Sequence, residues 1–374
     1  QEYLKEIAGF AGVSLQPAAG AHGEFVGVSI IRAYHQSRGD VKRTKILIPD
    51  SAHGTNPATT SMSGFEVVNI PTDKNGNADL DAVRAACDDT IAGLMLTNPN
   101  TLGLFDVNVV EVINLVHQAG GLVYGDGANL NALLGIVRPG DLGFDVMHFN
   151  LHKTFSTPHG GGGPGSGPVG VARHLVDFLP GPIVTIVEEG TEEIPPLFGF
   201  IMPEKSIGRV KSFYGHFGMM VRAYAYISMH GPEGLRKISE YAVLNANYLL
   251  SQLKGAYKLP YDRICMHEFV LEGHWSDSEV HALDIAKRLM DYNFHPPTNY
   301  FPLIVKEALM IEPTETESKQ TLDAFADALL KIADEAHKEP ELLKSAPHIT
   351  PVGRMDEVKA ARELTLCCWL PDQQ

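Results

Sequence analysis

Short apolar runs alternate with helix-like segments between residues 45 and 175, and this alternation constrains the fold more than any other feature of the chain. Six of the runs are predicted strands, at residues 45–49, 65–70, 91–97, 121–124, 146–149 and 169–172. Two segments between them, 79–87 and 108–118, repeat apolar residues at the spacing of one helix face. Strands that alternate with helices at this pitch predict the α/β class, with a mostly parallel central sheet flanked by helices.

The rest of the chain predicts a second, smaller domain. A stretch rich in Pro and Glu, 180–203, is predicted to be a loop, and helical spacing returns over 219–253. The pattern that follows predicts strand, helix, strand, helix and a last short helix, at 263–271, 278–290, 303–311, 317–337 and 355–366. We therefore expect a large domain over 1–225 and a smaller C-terminal α+β domain over 226–374.

Composition excludes several classes of partner and site. Lys and Arg number 30 against 45 Asp and Glu, and the resulting net charge of −15 argues against nucleic acid or an anionic membrane surface as a partner. No apolar run approaches the roughly 20 residues that a membrane span requires. Four cysteines without a CxxC pair favour a reducing compartment over a disulfide framework, and no signal peptide is visible. The 16 histidines form no HExxH or other zinc spacing, so we expect no metal.

Polar motifs follow the predicted strands, at the sheet edge where α/β proteins bind ligands. Lys153 comes shortly after the run at 146–149, and a lysine partly desolvated in a sheet crevice can act as a Schiff-base nucleophile. Asp126 follows the run at 121–124, and a carboxylate there can keep a pyridinium nitrogen protonated. Taken singly, Lys153 is more simply a solvated loop residue, and Asp126 is equally well a helix N-cap.

Other motifs predict a stacking side chain and an anion site. His53, in the segment 51–57, can stack on an aromatic cofactor, although a single histidine is more often structural. The Gly-Ala-His-Gly-Glu motif at 20–24 precedes a helix-like segment and is either a phosphate site at a helix N-terminus or a glycine-rich turn. It lacks the GK[ST] ending of a P-loop, and no GxGxxG opens a strand–helix turn, so nucleoside triphosphates and dinucleotides are disfavoured. The glycine-rich run 159–168 is either a linker or a loop that lets a substrate arm approach the site.

The order of these motifs is informative. An anion loop, a stacking histidine, a strand-end aspartate and a strand-end lysine follow one another along the chain, which is what a pyridoxal-phosphate site requires. Each signal is weak alone. Together they predict pyridoxal phosphate as the cofactor.

The same motifs resemble a known family. Residues 16–24, 51–57, 97–101 and 125–129, with the run NLHKTFSTPHGGGGPGSGP at 150–168, are similar to the P-protein of the glycine cleavage system, glycine dehydrogenase (decarboxylating). The resemblance continues through 300–305 and 308–318, and the ending near 351–358 resembles the separate catalytic subunit 2 rather than the fused long form. It implies a fold-type I pyridoxal-phosphate enzyme, and also a segment ahead of Gln1 that helps to close the active site and that this sequence does not include.

The resemblance assigns roles to residues at the matching positions. It implies that Lys153 forms the Schiff base with the cofactor, that Asp126 pairs with the ring nitrogen and that His53 stacks on the ring. Further residues expected at the cofactor, its phosphate or the substrate pocket are Ala21, His22, Gly23, Thr97, Asn98, Ala128, Asn150 and His152.

The resemblance also implies the reaction and the partners. Glycine would be decarboxylated and its aminomethyl group transferred to the lipoyl arm of the H-protein, with the loop at 160–163 flexing to admit the arm. The implied partner is subunit 1, in an α2β2 heterotetramer, and the implied location is the bacterial or archaeal cytoplasm.

Two alternatives stay open. The first is another fold-type I enzyme acting on a small amino acid, such as a decarboxylase or an aldolase; a desulfurase is disfavoured because Cys87 lies in a predicted helix. The second is a non-catalytic scaffold subunit that keeps the fold without the cofactor, against which Lys153 and Asp126 together argue.

Overall fold

A computed structural model describes residues 1–159 and 164–364, so the predicted flexing loop at 160–163 lies outside the described residues. The strands are β1 Gly12–Ser14, β2 Lys45–Pro49, β3 Glu66–Ile70, β4 Ile91–Leu96, β5 Leu122–Gly125, β6 Val146–His148, β7 Val169–Val171, β8 Ile183–Glu188, β9 Leu197–Ile201, β10 Phe269–Glu272, β11 Thr298–Asn299 and β12 Ala308–Ile311. The helices are α1 Glu2–Ala8, α2 Gly20–Ser37, α3 Asn56–Met62, α4 Leu80–Ala86, α5 Val109–Gln118, α6 Pro139–Leu142, α7 Leu151–Thr154, α8 Phe217–Leu253, α9 Ala282–Asp291, α10 Lys319–Lys338, α11 Pro340–Lys344 and α12 Glu357–Arg362.

The central sheet has seven strands in the order β1-β7-β6-β5-β4-β2-β3. The five strands from β3 to β6 run parallel, whereas β7 pairs antiparallel with both β6 and β1. All residues of β4 and β5 are buried, as expected for strands covered on both faces. The prediction of an α/β fold with a mostly parallel sheet is therefore confirmed.

Helix α2 packs closely on this sheet because it presents glycines to it. Gly20, Gly23 and Gly27 are spaced at helical intervals, and a Cβ placed on Gly27 would lie 2.6 Å from the ring of Tyr124. The Tyr124 ring on β5 is fully buried. This close approach brings the N-terminus of α2 to the carboxyl ends of the parallel strands, which positions the site described below.

Helix α8 connects the large sheet to a second core. Its first part contributes Ile227 and Leu235 to the core around the central sheet, and its last turns contribute Leu249 and Leu253 to the second core. Its helical geometry is interrupted at Gly231, where φ is 60°. The second core lies between α8, α9, α10 and a three-stranded antiparallel sheet in the order β10-β12-β11.

This arrangement agrees with an α+β unit following the large one. The predicted boundary at 225 falls inside α8 and stays a prediction.

The structure corrects the predictions for three segments. The predicted loop 180–203 contains the antiparallel hairpin β8–β9, because the β-branched run that begins at Ile183 outweighs the surrounding Pro and Glu. The predicted strand 263–271 is regular only from Phe269, since the Met266 N–H donates to the carbonyl of Gly103 in the large domain instead of to a strand. The predicted strand 303–311 begins at Ala308 and is preceded by a turn.

Among the described residues, none of the helices combines the length and the apolar composition that crossing a bilayer would need.

The approach of α2 to the sheet can be tested with Gly27→Ala. The new methyl group would press on the buried Tyr124 ring, and overpacking of this kind typically costs about 1–3 kcal/mol of unfolding free energy. The matched control is Gly218→Ala in α8. An added Cβ at Gly218 would meet no atom within 4 Å beyond its own helix turn, so this variant should be neutral or slightly stabilising. Urea denaturation measures both, and equal stabilities for the two variants would contradict the close approach.

Candidate active site

A cavity of about 240 Å³ lies at the carboxyl ends of the parallel strands. Its lining residues are Ala19, Gly20, Ala21, Glu24, His53, Thr55, Asp126, Ala128, His148, Asn150, His152, Lys153, His159 and Gly165. The structure thus brings seven of the predicted site residues into one cavity, namely Ala21, His53, Asp126, Ala128, Asn150, His152 and Lys153.

Asp126 is a buried carboxylate in the lining of the cavity. It follows β5 directly, continues the ladder by donating its N–H to Leu96, and is 4% exposed. No helix follows it, so the N-cap alternative does not apply; instead its Oδ1 accepts the N–H of Ala128 at 2.9 Å. The other oxygen, Oδ2, accepts the side-chain amide of Asn56, at the start of α3, at 2.9 Å.

Neighbouring groups keep this carboxylate ionised. Burial by itself would raise the pKa of Asp126, but four neighbours that favour the charged form outweigh burial and hold the pKa below its usual value. The four neighbours are His148, His53, the Asn56 amide and the Ala128 N–H. A buried carboxylate held in the charged form is the group needed beside a protonated ring nitrogen.

His148 supports Asp126 from the end of β6. Its Nε2 lies 3.8 Å from Asp126 Oδ1, and its Nδ1 is hydrogen-bonded to the hydroxyl of Tyr124. Burial lowers the pKa of His148, whereas the charges of Asp126 and Glu24 oppose this. Nε2 is the ring nitrogen that faces Asp126, so a proton carried there stabilises the carboxylate. The sequence signal for His148 was its place at a strand end, and our prediction missed it.

The N-terminus of α2 forms the anion-binding end of the cavity. The helix begins at Gly20, within the motif that we expected to precede it, and no side chain caps its first turn. The first N–H groups of a helix have no acceptor inside the helix and attract anions. A Cβ on Gly23 would collide with the carbonyl of Gly167, so only glycine allows α2 this close to the loop that follows Lys153.

Lys153 and two histidines also line the cavity. Lys153 lies in α7, five residues after β6 ends, and is exposed in the cavity rather than desolvated as we expected, because the cavity is open to solvent on this side. His152 and His159 contact each other with ring centroids 4.5 Å apart. Burial, with smaller contributions from the charges of His159 and Lys153, lowers the pKa of His152 to about 4, so it is neutral at neutral pH.

Four predicted residues lie next to the cavity without appearing in its lining. His22 is turned toward the backbone, where its Nδ1 accepts the N–H of Ala18, and Gly23 packs on Gly167. Thr97 accepts the N–H of His53 at 3.4 Å, and Asn98 accepts the N–H of Asp106. Thr97 therefore positions His53, and Asn98 shapes the loop after β4.

The small domain adds an acidic cluster that we did not predict. His267, Glu268 and Glu312 place one ligand-type atom each within 4.8 Å of one another, and both ring nitrogens of the buried His267 have no hydrogen-bond partner among the described residues. Burial and the charge of Glu312 raise the pKa of Glu268 well above its usual value, although the charge of Lys153 opposes this.

The cluster reaches the large domain through hydrogen bonds. Glu312 accepts the side-chain amides of Asn129 and Asn131, from the loop after Asp126, at 2.7 and 3.1 Å. No spacing in the chain signals this cluster, because Glu312 lies 44 residues after Glu268 and its amide partners lie more than 180 residues before it.

Pyridoxal phosphate fits the chemistry of this donor set. The cavity combines an uncapped helix N-terminus for a phosphate, an ionised buried carboxylate for a ring nitrogen, an imidazole and a primary amine. Two buried polar atoms without partners among the described residues, Asn150 Oδ1 and His152 Nδ1, belong to residues of the same lining. We therefore place the cofactor in this cavity as a proposal.

Comparisons with known proteins agree with the fold and show the family. Residues 238–348 match the family model described as glycine dehydrogenase, C-terminal domain, and residues 30–162 match aminotransferase class-V. Similar proteins include the probable glycine dehydrogenase (decarboxylating) subunit 2 of Alkaliphilus oremlandii, 61% identical over 96% of this chain and 73% of that protein. The protein of the same name from Caldanaerobacter subterraneus subsp. tengcongensis is 62% identical over 97% of this chain and 74% of its own length.

The fold also matches solved structures. The crystal structure of a glycine decarboxylase (P-protein) of the glycine cleavage system, in inhibitor-bound form, has a TM-score of 0.74 at 20% identity. The match covers 89% of this chain and 74% of that chain. At this identity the likeness shows a shared fold.

Replacing Glu268 tests the half-buried acid of the small domain. Because the folded-state pKa of Glu268 is raised, the folded protein binds a proton that the unfolded chain releases above about pH 4.3, so Glu268 lowers stability as pH rises toward its folded pKa. Glu268→Gln removes this penalty, and we expect its melting temperature to exceed that of the parent by an amount that grows from pH 5 to pH 8. Thermal unfolding across this range measures the difference.

The control for this comparison is Glu240→Gln, an exposed acid on α8 paired with Arg236, which should change stability by less than about 0.5 kcal/mol. A Glu268→Gln protein less stable than its parent at pH 8 would show that the carboxyl is ionised and paired there.

Proposed function

Since the chain belongs to the family of glycine dehydrogenase (decarboxylating) subunit 2, we propose that it decarboxylates glycine in the glycine cleavage system, with pyridoxal phosphate as its cofactor. The observation that carries the proposal is the meeting of Lys153, Asp126 and His53 in one cavity at the N-terminus of α2. When bound, pyridoxal phosphate supplies an electron sink for the electron pair that glycine retains as carbon dioxide leaves.

Different residues of the chain bind the cofactor and hold its proton. The N–H groups at the start of α2, around Ala21, bind the phosphate. Asp126 holds a proton on the ring nitrogen, which its low pKa and buried surroundings favour. His53 would stack on the ring, and Lys153 would supply the primary amine that holds the cofactor between turnovers.

The aminomethyl group requires an acceptor that reaches the cavity from outside. We propose that the lipoyl arm of the H-protein enters where Lys153, Thr55 and His159 are exposed. In the transfer a carbon–sulfur bond forms to one sulfur of the lipoyl disulfide, the sulfur–sulfur bond breaks, and the second sulfur is reduced to a thiol. The bond between the two glycine carbons breaks and the carboxylate leaves as carbon dioxide. The other carbon, with its nitrogen, is carried away on the arm as the aminomethyl group, and the thiol sulfur takes up a proton from water.

The two alternative functions explain fewer of the observations. A non-catalytic scaffold has no use for a buried carboxylate that four groups keep ionised beside an accessible amine. Another fold-type I decarboxylase or aldolase would use the same cavity, and the identity of the relatives favours glycine as substrate.

We propose subunit 1 as the partner, in an α2β2 heterotetramer, because the relatives are named as subunit 2. The exposed apolar side chains of the hairpin β8–β9 are consistent with a protein interface. Leu197, Phe198 and Phe200 on β9 are each more than half exposed, and Ile186 and Val187 on the paired strand β8 are also exposed. Exposed apolar surface concentrated on one hairpin is typical of an interaction site. We propose a cytoplasmic location, because the relatives are bacterial and the two cysteines that the structure describes, Cys87 and Cys265, form no disulfide.

Lys153→Ala tests the role of the amine. The variant should lose glycine decarboxylation in the presence of lipoylated H-protein, while it still binds pyridoxal phosphate without a covalent bond. The measurements are release of labelled carbon dioxide from glycine, and the visible absorbance of the cofactor-loaded protein before and after reduction with borohydride. Lys205→Ala, a lysine that lies over the Phe178 ring away from the cavity, is the control. Turnover that survives in Lys153→Ala would refute the assignment.

A hairpin variant tests the interface. Phe198→Glu combined with Phe200→Glu places two charges on the apolar strand and should weaken association with subunit 1 at least tenfold, because burying an unpaired charge is costly. The control Met62→Glu changes a residue that is 75% exposed on α3, and it should associate normally. Sedimentation velocity of mixtures with subunit 1 gives both affinities, and unchanged assembly of the hairpin variant would place the interface elsewhere.

A further inference from the structure

Glu24 is a buried acid in the cavity to which the proposed function gives no role. It lies one turn into α2, is 2% exposed, and lines the cavity beside His53 and Asp126. One ligand-type atom each of Glu24, His53 and Asp126 lies within 4.8 Å of the other two. A buried carboxylate is costly unless it is paired or hydrogen-bonded, so its partners indicate what it does.

The hydrogen-bonded partner of Glu24 is Thr55. The Thr55 hydroxyl donates to Glu24 Oε2 at 2.7 Å, and the other oxygen, Oε1, has no partner among the described residues. The same hydroxyl oxygen lies 2.9 Å from Nδ1 of His53. Glu24, Thr55 and His53 therefore form one chain of hydrogen bonds from α2 to the loop after β2.

The direction of the chain follows from charge. The Thr55 hydroxyl has one proton, and a hydrogen bond to a carboxylate is roughly twice as strong as one to a neutral acceptor, so the proton points to Glu24. The hydroxyl oxygen must then accept, and His53 Nδ1–H must donate. The competing contact, from the Thr55 backbone N–H to His53 Nδ1, is 3.4 Å long and belongs to an exposed residue, so water replaces it at little cost.

This direction leaves Nε2 as the nitrogen of His53 that is able to accept a proton. The titratable groups around it are Glu24 from α2, Asp126 after β5, His148 from β6 and Lys153 from α7. The small domain contributes the ring of Phe301, in edge contact with His53 at 6.2 Å between centroids. Glu24 is the member of this set that reaches His53 through hydrogen bonds, so it stabilises a positive charge on the ring most directly.

We propose that Glu24 and Thr55 are positioning residues that fix the proton of His53 on Nδ1 and stabilise a second proton on Nε2, so that His53 accepts a proton from the ammonium group of the incoming glycine. The proton moves from the glycine nitrogen to Nε2, and the resulting imidazolium is balanced by the Glu24 carboxylate. Glycine as the donor rests on the proposed function, whereas the state of the His53 ring does not.

The experiment is nitrogen NMR of the chain with labelled histidine and bound pyridoxal phosphate, titrated from pH 5 to pH 9. The His53 signals are identified by their loss in His53→Asn. We expect the parent ring to carry its proton on Nδ1. Thr55→Val should move the proton toward Nε2, and Thr55→Ser should keep the parent pattern because it restores the hydroxyl.

Glu24→Gln isolates the charge. Glutamine keeps the shape and can still accept from Thr55, but the midpoint of the His53 titration should fall by roughly half to one pH unit, a threefold to tenfold loss of proton affinity. The acidic limb of kcat/KM for glycine should move to lower pH by the same amount. The matched control for Thr55→Val is Thr72→Val, since Thr72 also donates to a carboxylate, that of Asp50, but lies outside the cavity.

The outcomes separate the two proposals. A parent ring protonated on Nε2, or a titration midpoint that does not change in Glu24→Gln, overturns the positioning role. If Glu24→Gln fails to fold, Thr55→Val decides, because it alters an exposed residue. Ring behaviour as expected without any turnover of glycine supports the positioning role and contradicts the proposed substrate.

Discussion

The site depends on one buried negative charge, the Asp126 carboxylate at the end of β5. A lone carboxylate this deep in an apolar sheet would take up a proton, because desolvation penalises its charged form. The structure prevents this with two hydrogen-bond donors, Asn56 and the Ala128 N–H, and with the ring of His148. Asn56 lies after β2, His148 ends β6, and Ala128 is in the same loop as Asp126. The order of the strands in the sheet therefore determines whether these groups meet and keep the carboxylate ionised.

The glycines of α2 help to form the same site. Gly20, Gly23 and Gly27 remove the side chains that would hold the helix away from the sheet and from the loop after Lys153. The close approach points the positive end of the helix into the cavity that contains Asp126. It also brings Glu24, on the next turn, within reach of Thr55. The same short motif therefore allows α2 to pack closely on the sheet and places a positive helix end where an anion can bind.

Strand ends were the informative signal for predicting the site. In a parallel sheet every strand delivers the residue after it to one edge, so His53 and Asp126 could be placed together without any knowledge of contacts. Lys153 was also placed there, although it lies in a short helix and is exposed. Thr97 and Asn98 satisfied the same rule, yet their side chains accept backbone N–H groups beside the cavity. The rule predicts position along the edge and says nothing about which way a side chain turns.

The residues that could not be predicted are those delivered by the second domain. Glu312 reaches Asn129 and Asn131 across more than 180 residues of chain, and the segment before β10 bonds to Gly103 instead of continuing a strand. Neither contact leaves a periodic pattern, because both are set by how two independently patterned cores meet. The hairpin β8–β9 was missed for the opposite reason. Its side chains are exposed, so the alternation that marks a half-buried strand is absent, and its β-branched residues are the remaining local signal. Local sequence pattern thus predicts the elements that pack within one core. It fails for a segment that contacts the other core or that lies on the surface.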